Sequence, residues 1–186
     1  MNGVNIMEKP KLLLHSCCGP CSTSVLERLL DDYDITVFFY NPNITDPEEY
    51  EKRKASQINF LNSYGKSIDF MEGDYDVESF YKGVKGLENE PEGGRRCIKC
   101  FRLRLKETAK MAKMLGIKNF STTLSVSPHK SYQDIKAIGT EYEEKDLNFL
   151  KEDFKKKDGF SRSIQLSKEY GLYRQSYCGC KFSKIK

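Results

Sequence analysis

Lys11-Leu12-Leu13-Leu14-His15-Ser16-Cys17-Cys18-Gly19-Pro20-Cys21 decides how the rest of the chain is read. A short continuous apolar run gives way to three thiols, and then to Ser22-Thr23-Ser24-Val25-Leu26-Glu27-Arg28-Leu29-Leu30, whose apolar spacing is helical. The order is strand, tight turn, helix start from about Cys21. Pro20 is tolerated near the first turn, where its missing N–H would be unpaired anyway. In an open parallel sheet, ligands bind in the crevice outside the carboxyl ends of the strands. The turn therefore falls at the position of an active site, and it is filled with sulfur.

Outward from that turn the same alternation repeats. Ile35–Tyr40, Ser67–Met71 and Asn119–Leu124 read as further strands, the first of them closed by the turn signal Asn41-Pro42-Asn43. Helices are expected from Pro47 to about Ser63, over Asp76–Tyr81, and from Cys97 to about Leu115. Two more are expected over Ser131–Glu143 and Ser163–Tyr170. Residues 1–9 read as a frayed leader, 83–94 as a loop, 145–160 as irregular, and Tyr173 onward as a loop tail carrying the last two cysteines. Strands alternating with helices predict an α/β fold: a single parallel, Rossmann-like sheet flanked by helices, one domain over residues 1–186. Right-handed crossovers put the loops beginning at Ser16, Asn41 and Ser125 on one rim.

An apolar fraction of 38% supplies a core, and no apolar run approaches the roughly 20 residues of a membrane span. The first ten residues show no charged segment followed by an apolar one, so a soluble cytoplasmic protein without a membrane partner is expected. In such a reducing compartment clustered thiols bind metal or do redox work more often than they form bridges. The seven cysteines fall in three tight groups, Cys17/Cys18/Cys21, Cys97/Cys100 and Cys178/Cys180, whereas cysteines serving only the core would be scattered.

The net charge of +4 hides an asymmetry. Asp69 to Glu92 is acidic. Gly93 to Lys113 sets Arg95, Arg96, Lys99, Arg102, Arg104, Lys106, Lys110 and Lys113 against Glu107 alone, and the chain from Lys155 is basic again. Localised positive charge is the footprint of a nucleic-acid binder. A solvated helix face balanced by the acidic loop beside it has the same composition.

Cys18-x-x-Cys21 and Cys97-x-x-Cys100 each place two thiols one helical turn apart, at expected helix starts where the positive end of the dipole favours thiolate. Two such pairs suit tetrahedral zinc or an iron–sulfur cluster. Seven thiols exceed the four of a closed zinc site and fit a cluster with an adjacent single metal. Thiol–disulfide exchange is the third possibility. Successive side chains on a turn are expected to point apart, which assigns Cys17 to a neighbouring centre rather than to the one Cys18 joins.

Taken together the motifs resemble the cobalamin-independent epoxyqueuosine reductases (the QueH type). They are Leu14-His15-Ser16-Cys17-Cys18-Gly19-Pro20-Cys21; Tyr40-Asn41-Pro42-Asn43-Ile44; Glu49-Tyr50 with Arg53; and Glu90-Pro91-Glu92-Gly93-Gly94-Arg95-Arg96-Cys97-Ile98-Lys99-Cys100-Phe101. Thr122-Thr123-Leu124 with Ser127-Pro128, Asp153-Phe154-Lys155-Lys156 and Tyr173-Arg174-Gln175-Ser176-Tyr177-Cys178-Gly179-Cys180 complete the set. The resemblance implies a fold akin to the adenine-nucleotide hydrolases and a [4Fe–4S] cluster with an adjacent mononuclear iron. It also implies removal of the epoxide oxygen from epoxyqueuosine at the tRNA wobble position, the last step of queuosine synthesis, with electrons from an unidentified donor. The resemblance implies no cobalamin, and ATP is not expected, because the cysteine turn stands where ATP-using relatives of that fold keep a phosphate loop. Zinc-stabilised RNA binding without catalysis and thiol–disulfide exchange are the alternatives.

On that basis Cys18, Cys21, Cys97 and Cys100 are assigned mainly to the cluster. Cys17, Cys178 and Cys180, with a carboxylate such as Asp153, are assigned to the second metal and the chemistry. Cys178 and Cys180 have a second reading as a redox disulfide, and Asp153 as a turn former. Tyr40, Asn41 and Asn43 are assigned to the substrate, with turn chemistry as the plain alternative. Arg95, Arg96, Lys99, Arg102, Lys130 and Arg174 are expected to meet phosphates of a tRNA anticodon stem-loop, and Tyr40, Phe101, Tyr173 or Tyr177 to stack on its bases. His15 reads as a hydrogen-bonded core residue, and His129 as a rim residue able to donate a proton.

Overall fold

The computed structural model describes residues 8–184, so most of the expected leader lies outside the described residues. In chain order the elements are β1 (Lys11–Ser16), α1 (Gly19–Leu29), β2 (Asp34–Phe39), α2 (Pro47–Ser63), β3 (Asp69–Glu72), α3 (Val77–Gly83) and α4 (Arg95–Met114). They continue with β4 (Asn119–Thr122), α5 (Tyr132–Glu141), β5 (Asn148–Phe149) and α6 (Gly159–Glu169). Single 3-10 turns cover Thr123–Val126 and Lys181–Ser183. The five strands are parallel, in the order β3-β2-β1-β4-β5. This is the expected α/β fold.

The apolar run of β1 is continuous because the strand is covered on both faces, as central strands of parallel sheets are. Leu12 and Leu14 pack with Val25, Leu26, Phe60 and Leu61 of α1 and α2. Leu13, between them, points to the other face, among Phe101, Leu105, Ala109 and Ala112 of α4 and Ile135 and Ile138 of α5. Strand order reverses at β1: the chain proceeds to β2 and β3 on one side, and returns to β4 and β5 on the other. A crevice opens at such a switch point, outside the carboxyl ends of β1 and β4.

Several boundaries differ from expectation for local reasons. Helix α1 starts at Gly19, with Cys18 as its N-cap and Pro20 in the first turn. Only glycine fits at its first position, since a Cβ on Gly19 would lie 2.8 Å from the Ser56 carbonyl oxygen of α2. The strand expected to run to Leu124 ends at Thr122, whose Oγ1 accepts the Leu124 N–H and turns the chain into a 3-10 turn. Residues 145–160 are not irregular throughout. They hold the two-residue β5, too short for any periodicity, and the first turn of α6, which begins at Gly159 rather than Ser163. Among the described residues no helix is long and apolar enough to cross a membrane.

Two glycines give opposite expected outcomes. A Cβ on Gly159 would stand 1.8 Å from the Phe154 carbonyl oxygen, whereas one on Gly83, at the end of α3, meets nothing within 4 Å. Gly83→Ala should raise stability by about 0.5–1 kcal/mol through the unfolded chain, and Gly159→Ala should lower it by about 1–3 kcal/mol or more. Urea midpoints of the two variants check this.

Candidate functional site

The turn after β1 is fixed from three directions before any sulfur is considered. Asn41, in the turn after β2, donates from Nδ2 to the Ser16 carbonyl (2.9 Å). Ser16 Oγ donates to Gln57 Oε1 of α2 (2.6 Å), and Gln57 Nε2 donates to Ser22 Oγ of α1 (2.9 Å). His15 ties β1 to both neighbouring strands. Its Nε2 lies 3.0 Å from the Tyr40 carbonyl, which can only accept, so Nε2 carries the hydrogen and Nδ1 accepts from Thr122 Oγ1 at 2.9 Å. Burial, and next the charge of Arg104, lower its pKa to about 4. His15 is therefore a neutral core residue, as read from its place in the strand.

Within this frame the ligand atoms of Cys17, Cys18 and Cys21 all lie within 4.8 Å of one another. Cys17 and Cys18 are 3.8 Å apart at sulfur. The expectation that neighbouring side chains diverge is thus corrected: the bend from strand into helix closes all three sulfurs on each other. Helix α1 has no side-chain cap and no acid in its first turn, so its unpaired N–H groups favour negative charge there. Hydrogen bonds from the Cys18 and Cys21 thiols hold Cys17 well below the usual thiol range, against its burial. The same bonds push Cys18 up to about 12 and Cys21 well above its usual value. The triad can hold a metal ion, which takes thiols as thiolates.

Three of the other four cysteines pack together where α4 meets the tail. Cys100, Cys178 and Cys180 pack with Phe80 and Val84. Hydrogen bonding to Cys180 lowers the Cys178 pKa to about 5 and raises that of Cys180, while burial pushes Cys100 up to about 11. Cys97, in the first turn of α4, accepts the Gly93 N–H at 3.3 Å. Cys97 packs against the core layer that holds Cys17 and Cys18, while Cys100 packs with the tail thiols, so α4 contributes a thiol to each group.

Arg53 of α2 brings the tail in. It pairs with Glu49 (2.7 Å) and donates to the carbonyls of Tyr177 (2.9 Å) and Cys178 (3.1 Å). Tyr173 donates to the other Glu49 oxygen at 2.8 Å. Gly179 has φ +106 and leaves no room for a Cβ, which would sit 2.8 Å from Ile44. Gln175 then reaches back across the site, its Nε2 2.9 Å from Cys18 Sγ. Arg53, Gln175 and Arg104 were given no role in the sequence. The i,i+4 spacing of Glu49 and Arg53 was the one available signal.

Turn and tail enclose a cleft of about 320 Å³ at the switch point. Cys17, Cys21 and Cys178 line it, with Arg53, Arg104, His129, Lys130, Arg174 and Tyr177 among its other walls. Lys130 and Arg174 thus stand where a ligand would pass, whereas Tyr40, Asn41, Asn43, Arg95, Arg96 and Asp153 are not cleft residues. Tyr40 stacks on Phe38. Asn43 is buried and donates to the Cys178 carbonyl at 3.4 Å, so both asparagines hold cysteine-bearing backbone. Arg96 is buried and donates to the carbonyls of Leu87, Glu88 and Glu90; it cages its own loop instead of facing phosphate. Arg95 pairs with Glu90 and Arg102 with Glu141, so much of the basic run on α4 is balanced within the protein. Asp153 accepts from the Lys155 N–H at 3.2 Å and fixes a turn. Lys155 Nζ in turn holds the carbonyls of Ser125 and Lys130.

Fold and site together define an α/β protein with a thiol-built, metal-competent centre at the switch point of its sheet. Residues 12–186 match the family model described as epoxyqueuosine reductase QueH, and the chain belongs to that family. It is 42% identical to epoxyqueuosine reductase QueH of Streptococcus pyogenes serotype M1, over 94% of this chain and 71% of the relative. Identity to the Staphylococcus epidermidis protein of the same name is 42% over 96% of this chain and 78% of that one. For the Thermotoga maritima protein it is 37% over 94% and 91%.

Arg53→Met removes a buried charge whose partners stay behind, so a loss of about 3–5 kcal/mol is expected. Limited proteolysis should cut near Tyr177 in the variant and spare the parent. Equal protection of the two tails would show that Arg53 does not hold this segment.

Proposed function

We propose that this protein is an epoxyqueuosine reductase that acts on the modified nucleoside within tRNA, the last step of queuosine synthesis. The observation that carries the reading is the meeting of the Cys17/Cys18/Cys21 triad with Cys178 of the tail at one cleft. Soft thiolates in excess of the four that one metal ion needs suit iron–sulfur chemistry. Cys17, Cys18 and Cys21 would act as one donor set, and Cys97, Cys100, Cys178 and Cys180 as the donors beside it, for a [4Fe–4S] cluster and an adjacent mononuclear iron. When bound, such a centre supplies single electrons and a Lewis acid for oxygen.

The protein's own groups do the rest. Converting an epoxide to an alkene takes two electrons and two protons and releases the oxygen as water, with the electrons supplied by an external reductant. The cleft admits one extruded nucleoside, with Cys17 and Cys178 facing it. Tyr177 offers an aromatic face for stacking, and Lys130, Arg174 and His129 stand at the mouth where flanking phosphates would lie. A closed structural zinc site uses four thiolates and thiol–disulfide exchange two, so neither alternative employs all seven.

Protein reconstituted anaerobically with iron and sulfide, then given epoxyqueuosine-bearing RNA and a chemical reductant, should yield RNA lighter by one oxygen atom in mass spectrometry. Unchanged RNA from an iron-loaded protein would refute the activity. Binding of an anticodon stem-loop should weaken steeply with salt, and Lys130→Ala and Arg174→Ala should each reduce the slope of log K against log salt by about 1. Filter binding across a salt series reads this directly.

A further inference from the structure

Three buried arginines surround the thiols, and they differ in what satisfies the guanidinium. Arg53 has Glu49 and two tail carbonyls; Arg96 has a cage of loop carbonyls. Arg104 lies one turn beyond Cys100 on α4 and is 3% exposed. Among the described residues no carboxylate stands within ion-pair distance of it. Its side chain makes one long hydrogen bond there, 3.4 Å from Nε to the Cys100 carbonyl. The Phe101 ring centroid is 5.8 Å from its guanidinium carbon. A guanidinium largely withdrawn from water, with its free N–H groups on a cleft, favours negative charge beside it.

What shares the cleft with Arg104 is sulfur. The arginine lines the cleft with Cys17, Cys21 and Cys178, and its Nε reaches the carbonyl of Cys100 one turn back on α4. His15 nearby, its ring held by the Tyr40 carbonyl and Thr122, supplies no anion. Glu92 lies exposed at the rim, and Lys130 is itself a cation.

We propose that Arg104 is the fixed counter-charge of the cysteine constellation, a positioning residue set between the turn thiols and those of α4. It offsets the negative charge the thiolates carry when they hold metal, and so favours uptake of an electron there. The inference rests on the iron–sulfur reading above. A cation held at a partly desolvated site stabilises the reduced, more negative state of a thiolate-bound centre, whose potential follows net charge and hydrogen bonding. Arginine suits the task because it stays protonated where lysine can lose its proton.

The test compares parent, Arg104→Met and Arg104→Lys after anaerobic reconstitution, reading iron, sulfide and the midpoint potential of the bound centre. Arg104→Met is expected to carry the parent's iron at a more negative potential, with Arg104→Lys closer to the parent. An iron-loaded Arg104→Met at the parent's potential overturns the assignment, as does an equal displacement in both variants. Should Arg104→Met not fold, Arg104→Gln takes its place with the same outcomes. A parent that binds neither iron nor sulfide overturns the iron–sulfur reading itself and this inference with it, whereas a loaded parent beside an unmoved variant overturns only the role of Arg104.

Discussion

The bend between β1 and α1 is the constraint from which the site follows. A strand buried on both faces must leave the sheet at the switch point, and here it does so through residues pinned by Asn41, Gln57 and His15. Because backbone on three sides is fixed, the sulfurs have little freedom, and three of them are crowded within 4.8 Å. Crowding has an electrostatic consequence: hydrogen bonds from two thiols ease the first deprotonation and the crowding opposes the next two. A metal ion would resolve that frustration by accepting all three as thiolates.

The tail supplies what the sheet cannot. Residues after α6 have little regular structure, yet Arg53, Asn43 and Thr45 bind their carbonyls through Tyr177, Cys178 and Gly179. The segment is positioned by side chains and backbone of the β2–α2 region, which itself frames the cysteine turn. Distant parts of the chain are thereby referred to one local scaffold. The cations divide the same way: those on α4 are largely absorbed by Glu90, Glu107, Glu141 and Glu144, leaving Lys130, Arg174 and Arg104 for the cleft.

Much of this was legible in the chain. The run Leu12-Leu13-Leu14, the repeated strand–helix alternation and the sulfur-filled turn were enough to place the sheet and its rim, because they are signals of local period and composition. Strand β5 and the start of α6 were not, since two residues carry no period and Gly159 answers to close contacts with the Phe154 carbonyl and with Arg28, far away in the chain. The companionship of Cys17 with Cys18 was misread because turn rules treat neighbours pairwise, while the curvature of a whole strand-to-helix bend decides where sulfurs meet. Arg96 was misread because a basic run looks solvent-exposed until the carbonyls that hold it are seen. Arg53 and Gln175 bond groups more than a hundred residues away, and no spacing announces that.

The account stands or falls on thiols from the turn, α4 and the tail jointly holding iron. The most direct measurement is a Mössbauer spectrum of the parent protein loaded anaerobically with isotopically enriched iron and sulfide. The account predicts a diamagnetic four-iron cluster together with a separate signal from a single iron. Spectra showing only adventitious, oxygen-bound iron, in protein whose thiols are reduced and free, would contradict it.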